Sequence, residues 1–141
     1  MRVALALFEA LDRHDLSTVA TQFDPKFRGQ RTGNQLLNLP ECLNFWQAFL
    51  DACPDLRVSI VETFESDTAI AVRWRSMGTH RFALREVLGS PPVAATQRAF
   101  VLEGTLIQEI TAGRIRRAWL YFDRLSLMEQ LGLLQISPLR H

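Results

Sequence analysis

The sequence predicts an α+β fold, with helices gathered at the N-terminus, long strands after them and a short helix at the end. Three observations carry this prediction. Apolar residues recur at helical spacing as far as Cys53. From Asp55 the period changes to two and persists to Phe122. A last helical stretch then runs from Asp123 and stops at Gly132. Segregation of helices from strands is the pattern of α+β architecture. A curved antiparallel sheet wrapped over the third helix makes a cone with an open mouth, a shape that buries a small organic molecule.

The elements follow in order. Ala4, Leu7, Phe8 and Leu11 share one face of a first helix. His14-Asp15 interrupts it, and Asp15 is placed to cap a second helix carrying Leu16, Val19, Ala20 and Phe23, which Pro25 stops. Phe27 to Gln30 reads as a short edge strand, followed by a polar loop from Arg31 to Asn34. Pro40 and Glu41 suit the first turn of a third helix, in which Cys42, Phe45, Trp46, Phe49 and Cys53 recur before Pro54. Such an aromatic stripe packs on a sheet; alternatively Trp46 or Phe49 also lines a cavity. Next, Val58, Ile60, Glu62 and Phe64 alternate with Arg57, Ser59, Val61 and Thr63. After a turn at Ser66-Asp67, Ala69 to Leu84 reads as one long strand. It places Ile70, Val72, Trp74, Ser76, Gly78, His80 and Phe82 on its more apolar face. Gly78 is a candidate for a bend or bulge. Leu88-Gly89-Ser90-Pro91-Pro92 is a loop. Gln97 to Thr111 and Ile115 to Phe122 form a hairpin around Ala112-Gly113. The final helix turns Leu127, Met128 and Leu131 inward. Residues 1–134 are read as a single domain and 135–141 as a tail.

Composition excludes several function classes. The 141 residues carry a net charge of only +1, which argues against nucleic acid or an anionic membrane surface as partner. The run Arg114, Arg116, Arg117 divides between the two faces of a strand and makes no basic stripe. Nothing approaches the ~18 apolar residues of a membrane span. The apolar start is broken by Glu9 and Asp12, with no small-residue cleavage site after it. Cys42 and Cys53 on one helix lie about 16 Å apart at ~1.5 Å per residue, too far for a disulfide. A cytoplasmic protein with reduced thiols is expected.

Phosphate-loop, dinucleotide and nucleophile-elbow motifs are absent. His14, His80 and His141 have no metal-ligand spacing, so no metal and no cofactor is expected. Two polar groups stand out. Arg117, Trp119, Tyr121 and Asp123 share one strand face. If that face looks into the cone, desolvation raises the pKa of Asp123 and fits it for acid–base work. Asp123 also immediately precedes a helix, where it is a natural N-cap. His80 falls on the inward face, either as a core histidine bonded to a backbone carbonyl or as a group that orients a carbonyl oxygen. Glu62, inward by alternation, calls for pairing with an arginine such as Arg75.

Gly78-Thr79-His80, the Leu88-to-Pro92 loop, Gly113-x-Ile115, Trp119, Asp123, Leu127 and Gln130-Leu131-Gly132 together resemble the SnoaL-like polyketide cyclases of the NTF2-like superfamily. The run from the glycine turn to Gln-Leu-Gly is the most specific part, and the resemblance covers roughly residues 1 to 133. It implies a cone-shaped barrel with a hydrophobic pocket, often dimeric or tetrameric through the sheet. It also implies that Asp123 matches the acid/base aspartate of intramolecular aldol closure. Two departures accompany it: Val93, Ala94 and Ala95 replace the usual polar residues after the prolines, and no histidine lies between His80 and His141. The expected activity is proton removal α to a carbonyl by Asp123, with His80 or a backbone amide steadying the enolate oxygen, and Trp46, Phe49, Trp74, Trp119 and Tyr121 shaping the pocket. The expected partners are a small hydrophobic or carbonyl-containing molecule and a second copy of the chain. The competing expectation is a non-catalytic module that holds a hydrophobic ligand or mediates dimerisation.

Overall fold

The computed structural model describes residues 2–31, 35–87 and 90–134, apart from the side chains of Arg31 and Gln35. The expectations for residues 32–34, for Leu88-Gly89, for His141 and for the tail lie outside the described residues. The elements are α1 (Arg2–Asp12), α2 (Leu16–Thr21), β1 (Phe23–Arg31), β2 (Gln35–Leu37), α3 (Leu39–Ala52), β3 (Arg57–Glu65), β4 (Ala69–Thr79), β5 (Ala99–Thr111), β6 (Arg114–Phe122) and α4 (Arg124–Gln130). The α+β class is as expected. One six-stranded sheet runs in the order β2-β1-β6-β5-β4-β3. Helix α1 packs on β3, α3 on β1 and α4 on β5.

Local chemistry explains the helices. Asp15 caps α2 by accepting from the Thr18 amide at 3.1 Å. Asn38 and Glu41 form a reciprocal capping box at the start of α3, with Pro40 in its first turn. Asp12, at the end of α1, accepts from Arg57 Nε and from the Val58 amide, each at 2.9 Å, and so ties that helix to β3.

The sheet departs from the expected pattern at identifiable places. It is mixed rather than antiparallel, because β1 runs parallel to β6. The stretch expected as a short edge strand is therefore an inner strand, paired with β2 on its other side. Its register shifts between Phe23 and Arg28, around Pro25, which has no N–H to give a ladder. In β3 the register shifts between Ile60 and Glu62. One extra residue reverses the facing of everything beyond it. Glu62 and Phe64 are consequently exposed, and Glu62 pairs with Arg73 at 2.6 Å rather than with Arg75. Pairing continues in regular register through Gly78, so that glycine marks no bulge. Strand β4 ends at Thr79 instead of running to Leu84: the chain turns away at His80, whose amide bonds Arg98 O, while the Arg81 and Phe82 amides reach Ala52 O. Phe82, inward by alternation, is exposed in consequence.

The β5–β6 hairpin turns on Ala112 (φ 51°) and Gly113 (φ 76°), the two positive φ angles of a type I′ turn. The inward side of β5 carries Phe100, Leu102, Gly104, Leu106 and Gln108. The Trp74 indole of β4 lies over Gly104, and a Cβ there would overlap both that ring and the Tyr121 carbonyl. Because one of those atoms is backbone, Gly104→Ala is expected to lose about 1–3 kcal/mol, the usual cost of overpacking. Urea denaturation measures it, and a neutral result contradicts this packing.

Candidate functional site

Between the helices and the inward face of the sheet lies an apolar interior in adjoining chambers. The inner one, of about 110 Å3, is walled by Trp46 and Phe49 from α3, by Trp74 and Ser76 from β4, and by Phe122 and Leu127 at the C-terminal end. The outer one, of about 530 Å3, forms the mouth and carries His80, Arg85 and Arg124 among apolar neighbours. Phe45, Phe49, Phe100, Phe122 and Leu127 line both.

The mouth is assembled from three parts. The segment after β4 folds back on itself through bridges between Leu84 and Val93 and between Val87 and Ser90. Arg85 moors it to α3, donating to Asn44 Oδ1 at 2.6 Å and to the Asn44 carbonyl at 3.2 Å. Helix α4 supplies the other wall. Its Gln130 amide copies a strand partner, accepting from Val101 N and donating to Val101 O, both at 2.8 Å, where β6 has already ended. Gly132 (φ +75°) closes the helix in a Schellman arrangement: the Gly132 amide bonds Glu129 O and the Leu133 amide bonds Met128 O. The Gln-Leu-Gly run is thus the device that fixes α4 over the mouth.

His80 is 3% exposed. Its Nδ1 lies 3.3 Å from the Thr96 amide nitrogen and 3.1 Å from Thr96 Oγ1. A backbone N–H can only donate, so Nδ1 accepts and the proton of the neutral ring sits on Nε2. Nε2 is buried and has no hydrogen-bond partner among the described residues. Burial holds His80 below the usual histidine range, with the Phe82 backbone carbonyl pulling the other way. Cys53 also lines the mouth, but burial, and secondarily Asp55, push its thiol up to about 11, and burial pushes Cys42 to about 12. Neither is a nucleophile at neutral pH.

The remaining expected residues divide. Trp46, Phe49 and Trp74 line the inner chamber. Trp119 and Tyr121 do not: β6 turns Ala118, Leu120 and Phe122 inward, and the series Arg117, Trp119, Tyr121, Asp123 looks out. Both series contain large apolar groups, so alternation alone does not choose between them. The outward choice leaves Arg117 near Glu109 and over the Trp119 ring, 4.9 Å from its centroid, instead of burying a guanidinium. Asp123 is exposed and caps α4, accepting from the Ser126 amide at 2.9 Å, so the apolar enclosure expected for it is not where it sits. Sequence reasoning passed over Gln108, which is fully buried at an inward position of β5. The available signal was a lone amide in the alternating series from Phe100 to Gln108. Among the described residues no group of three His, Cys, Asp or Glu could hold a metal ion, and no helix is long and apolar enough to cross a membrane.

The depressed His80 pKa sets a pH dependence. The unfolded chain protonates this ring near pH 6.5, whereas the folded chain does so only at lower pH. Acid therefore favours the unfolded state, and stability falls as the pH drops through about 6.5 until the folded pKa is passed. Wild type is expected to lose more stability between about pH 7 and 5 than His80→Gln, as read from urea unfolding at each pH; equal losses contradict the burial argument.

No curated protein matches the chain. Among solved structures, the candidate hydroxylase AclR of Streptomyces galilaeus superposes with a TM-score of 0.80 at 19% identity, covering 97% of this chain and 87% of that one. The candidate polyketide cyclase IdmH of Streptomyces antibioticus gives a TM-score of 0.76 at 23% identity, covering 93% and 96%. A SnoaL-like protein of Jannaschia sp. CCS1 gives 0.78 at 17% identity, covering 95% and 92%. At these identities the likeness speaks for the fold, which is NTF2-like. The family model of the SnoaL-like polyketide cyclases matches residues 1–131. With that match over nearly its whole length, the chain belongs to the SnoaL-like polyketide cyclase family.

Proposed function

We propose that this chain is a small-molecule enzyme that holds an apolar, carbonyl-containing, polyketide-like substrate in the adjoining chambers and moves a proton α to the carbonyl. The observation that carries the reading is His80, a neutral ring in the wall of an apolar mouth, whose buried, proton-bearing Nε2 has no hydrogen-bond partner within 3.5 Å among the described residues, the Phe82 backbone lying near the ring. A carbonyl oxygen complements that donor, and an enolate oxygen complements it better, which is the condition for rate acceleration. Asp123 is the proposed base; its carboxylate lies outside the chambers, next in the chain to Phe122 and Arg124 of the mouth and held by the Ser126 amide, so it takes the proton by way of solvent at the rim rather than by direct contact. Asp123 takes the proton and the electron pair moves to the oxygen held by His80. The enolate carbon then attacks a second carbonyl of the same molecule, and the new alkoxide recovers the proton. Return of the proton at another carbon gives isomerisation instead.

One observation favours a second reading, a binding module without chemistry: Asp123 is exposed and serves as a helix cap. Solvent deuterium exchange α to the carbonyl of 1-tetralone, followed by NMR in D2O, separates the two. Asp123→Asn keeps the cap, whereas Asp123→Ala costs about 1 kcal/mol of stability, so the asparagine variant isolates the chemistry. Wild type is expected to accelerate exchange, and Asp123→Asn to lose about a hundredfold while still binding. Binding without exchange in wild type supports the second reading, and unchanged exchange in Asp123→Asn removes Asp123 as the base.

The outward sheet face supports a homodimer. Phe64, Ala71, Ile107 and Trp119 are register partners in one row across four strands, and Phe64 is 63% exposed. The Glu62–Arg73 and Arg117–Glu109 pairs lie to either side. An apolar strip with charged margins is the anatomy of an interface core and rim. Analytical ultracentrifugation is expected to give a dimer that Phe64→Glu splits into monomers; a wild-type monomer contradicts this.

A further inference from the structure

Among the described residues that wall the inner chamber, Ser76 alone carries a hydroxyl. The other polar side-chain atoms of that wall are the indole nitrogens of Trp46 and Trp74. Ser76 occupies an inward position of β4, two residues after Trp74, and is 8% exposed. Across the sheet it pairs in register with Val58 of β3 and Leu102 of β5, neither of which can return a side-chain hydrogen bond. Among the described residues the hydroxyl has no hydrogen-bond partner, and Oγ is not sealed off from accessible space as the Gln108 amide is. The two neighbouring strands cover its flanks, so the open side of the hydroxyl is the chamber side.

Alanine would leave the chamber the same room without the cost of taking a hydroxyl out of bulk water. We propose that Ser76 is a specificity-determining residue, whose hydroxyl pairs with an oxygen function, a hydroxyl or a carbonyl, on the part of the ligand that enters the inner chamber. This inference rests on the reading of the interior as a ligand site. A serine hydroxyl offers one donor hydrogen and two acceptor lone pairs, so it serves either partner. The chamber, at about 110 Å3, also has room for water on the hydroxyl in the free protein. A ligand that brings hydrocarbon to this point displaces that solvation and returns nothing, whereas an oxygen replaces it. Sites built around a hydrogen bond discriminate against analogues that lack it. Ser76 and His80 are four residues apart, at most about 13 Å along an extended chain. The ligand class is therefore a compact ring system with oxygen at both ends, one for His80 at the mouth and one for Ser76 inside, as against a fatty acyl chain.

Equilibrium dialysis of the full chain with 6-hydroxymethyl-1-tetralone and 6-ethyl-1-tetralone tests this. The two probes share the ketone and the rings and differ only in a far-end hydroxyl against a methyl. The proteins are wild type, Ser76→Ala, Ser76→Thr and Ser76→Val, the last two alike in shape and different in the hydroxyl. The readout is the affinity for the hydroxymethyl probe relative to the ethyl probe within each protein, which removes the general preference of an apolar pocket for the more apolar probe. This ratio is expected to fall about fivefold from wild type to Ser76→Ala, and by a similar factor from Ser76→Thr to Ser76→Val. A ratio that does not move when the hydroxyl is lost overturns the inference and leaves the cavity reading standing. Failure of Ser76→Ala to fold also overturns it, since the hydroxyl would then have a structural partner. Failure of both probes to bind wild type overturns the cavity reading and this inference together.

Discussion

The inward face of β5 sets the interior of this protein. Phe100, Leu102 and Leu106 build an apolar wall, and Gly104 leaves the space in that wall which the Trp74 indole fills. Every other part of the cavity is referred to this strand. β4 and β6 flank it in register, and α4 is clamped to it through the Gln130 amide. Displacing that wall would displace the chambers as well.

The interior is graded in polarity along its length. Buried polar atoms without hydrogen-bond partners among the described residues stand at its two ends, His80 Nε2 at one and the Gln108 amide at the other, and the walls between them are almost wholly apolar. Burial of apolar surface supplies affinity without direction, whereas a few fixed donors and acceptors supply orientation. The division suits a rigid, mostly apolar molecule with oxygen at defined positions. Thr96 contributes by engaging His80 Nδ1 through its amide, which leaves the proton of the neutral ring on Nε2.

Much of this was legible in the sequence, for physical reasons. Asp15 announced its helix cap, Pro40 and Glu41 the start of α3, and Ala112-Gly113 the hairpin turn, because short-range hydrogen bonding and φ preference act within a few residues. The run from Gly113 to Gly132 identified the family because its residues perform local tasks: a turn, a cap, a clamp and a helix stop. What was not legible depended on register. A single extra residue near Val61 turned Glu62 and Phe64 outward, and no composition rule marks it. The facing of β6 is opposite to the one expected, because Ala118, Leu120 and Phe122 are as plausible inward as Trp119 and Tyr121; the neighbours of Arg117 decide it. The parallel pairing of β1 with β6 joins residues about ninety positions apart, beyond the reach of local pattern.

The central claim is that the interior receives an oxygenated apolar molecule with a carbonyl against His80. A crystal structure of the protein with 1-tetralone tests it most directly. The account predicts the ring system among Phe49, Trp74, Phe100 and Leu127, with its oxygen within hydrogen-bond distance of His80 Nε2. Tetralone seated elsewhere, or in the cavity with its oxygen away from His80, would contradict it.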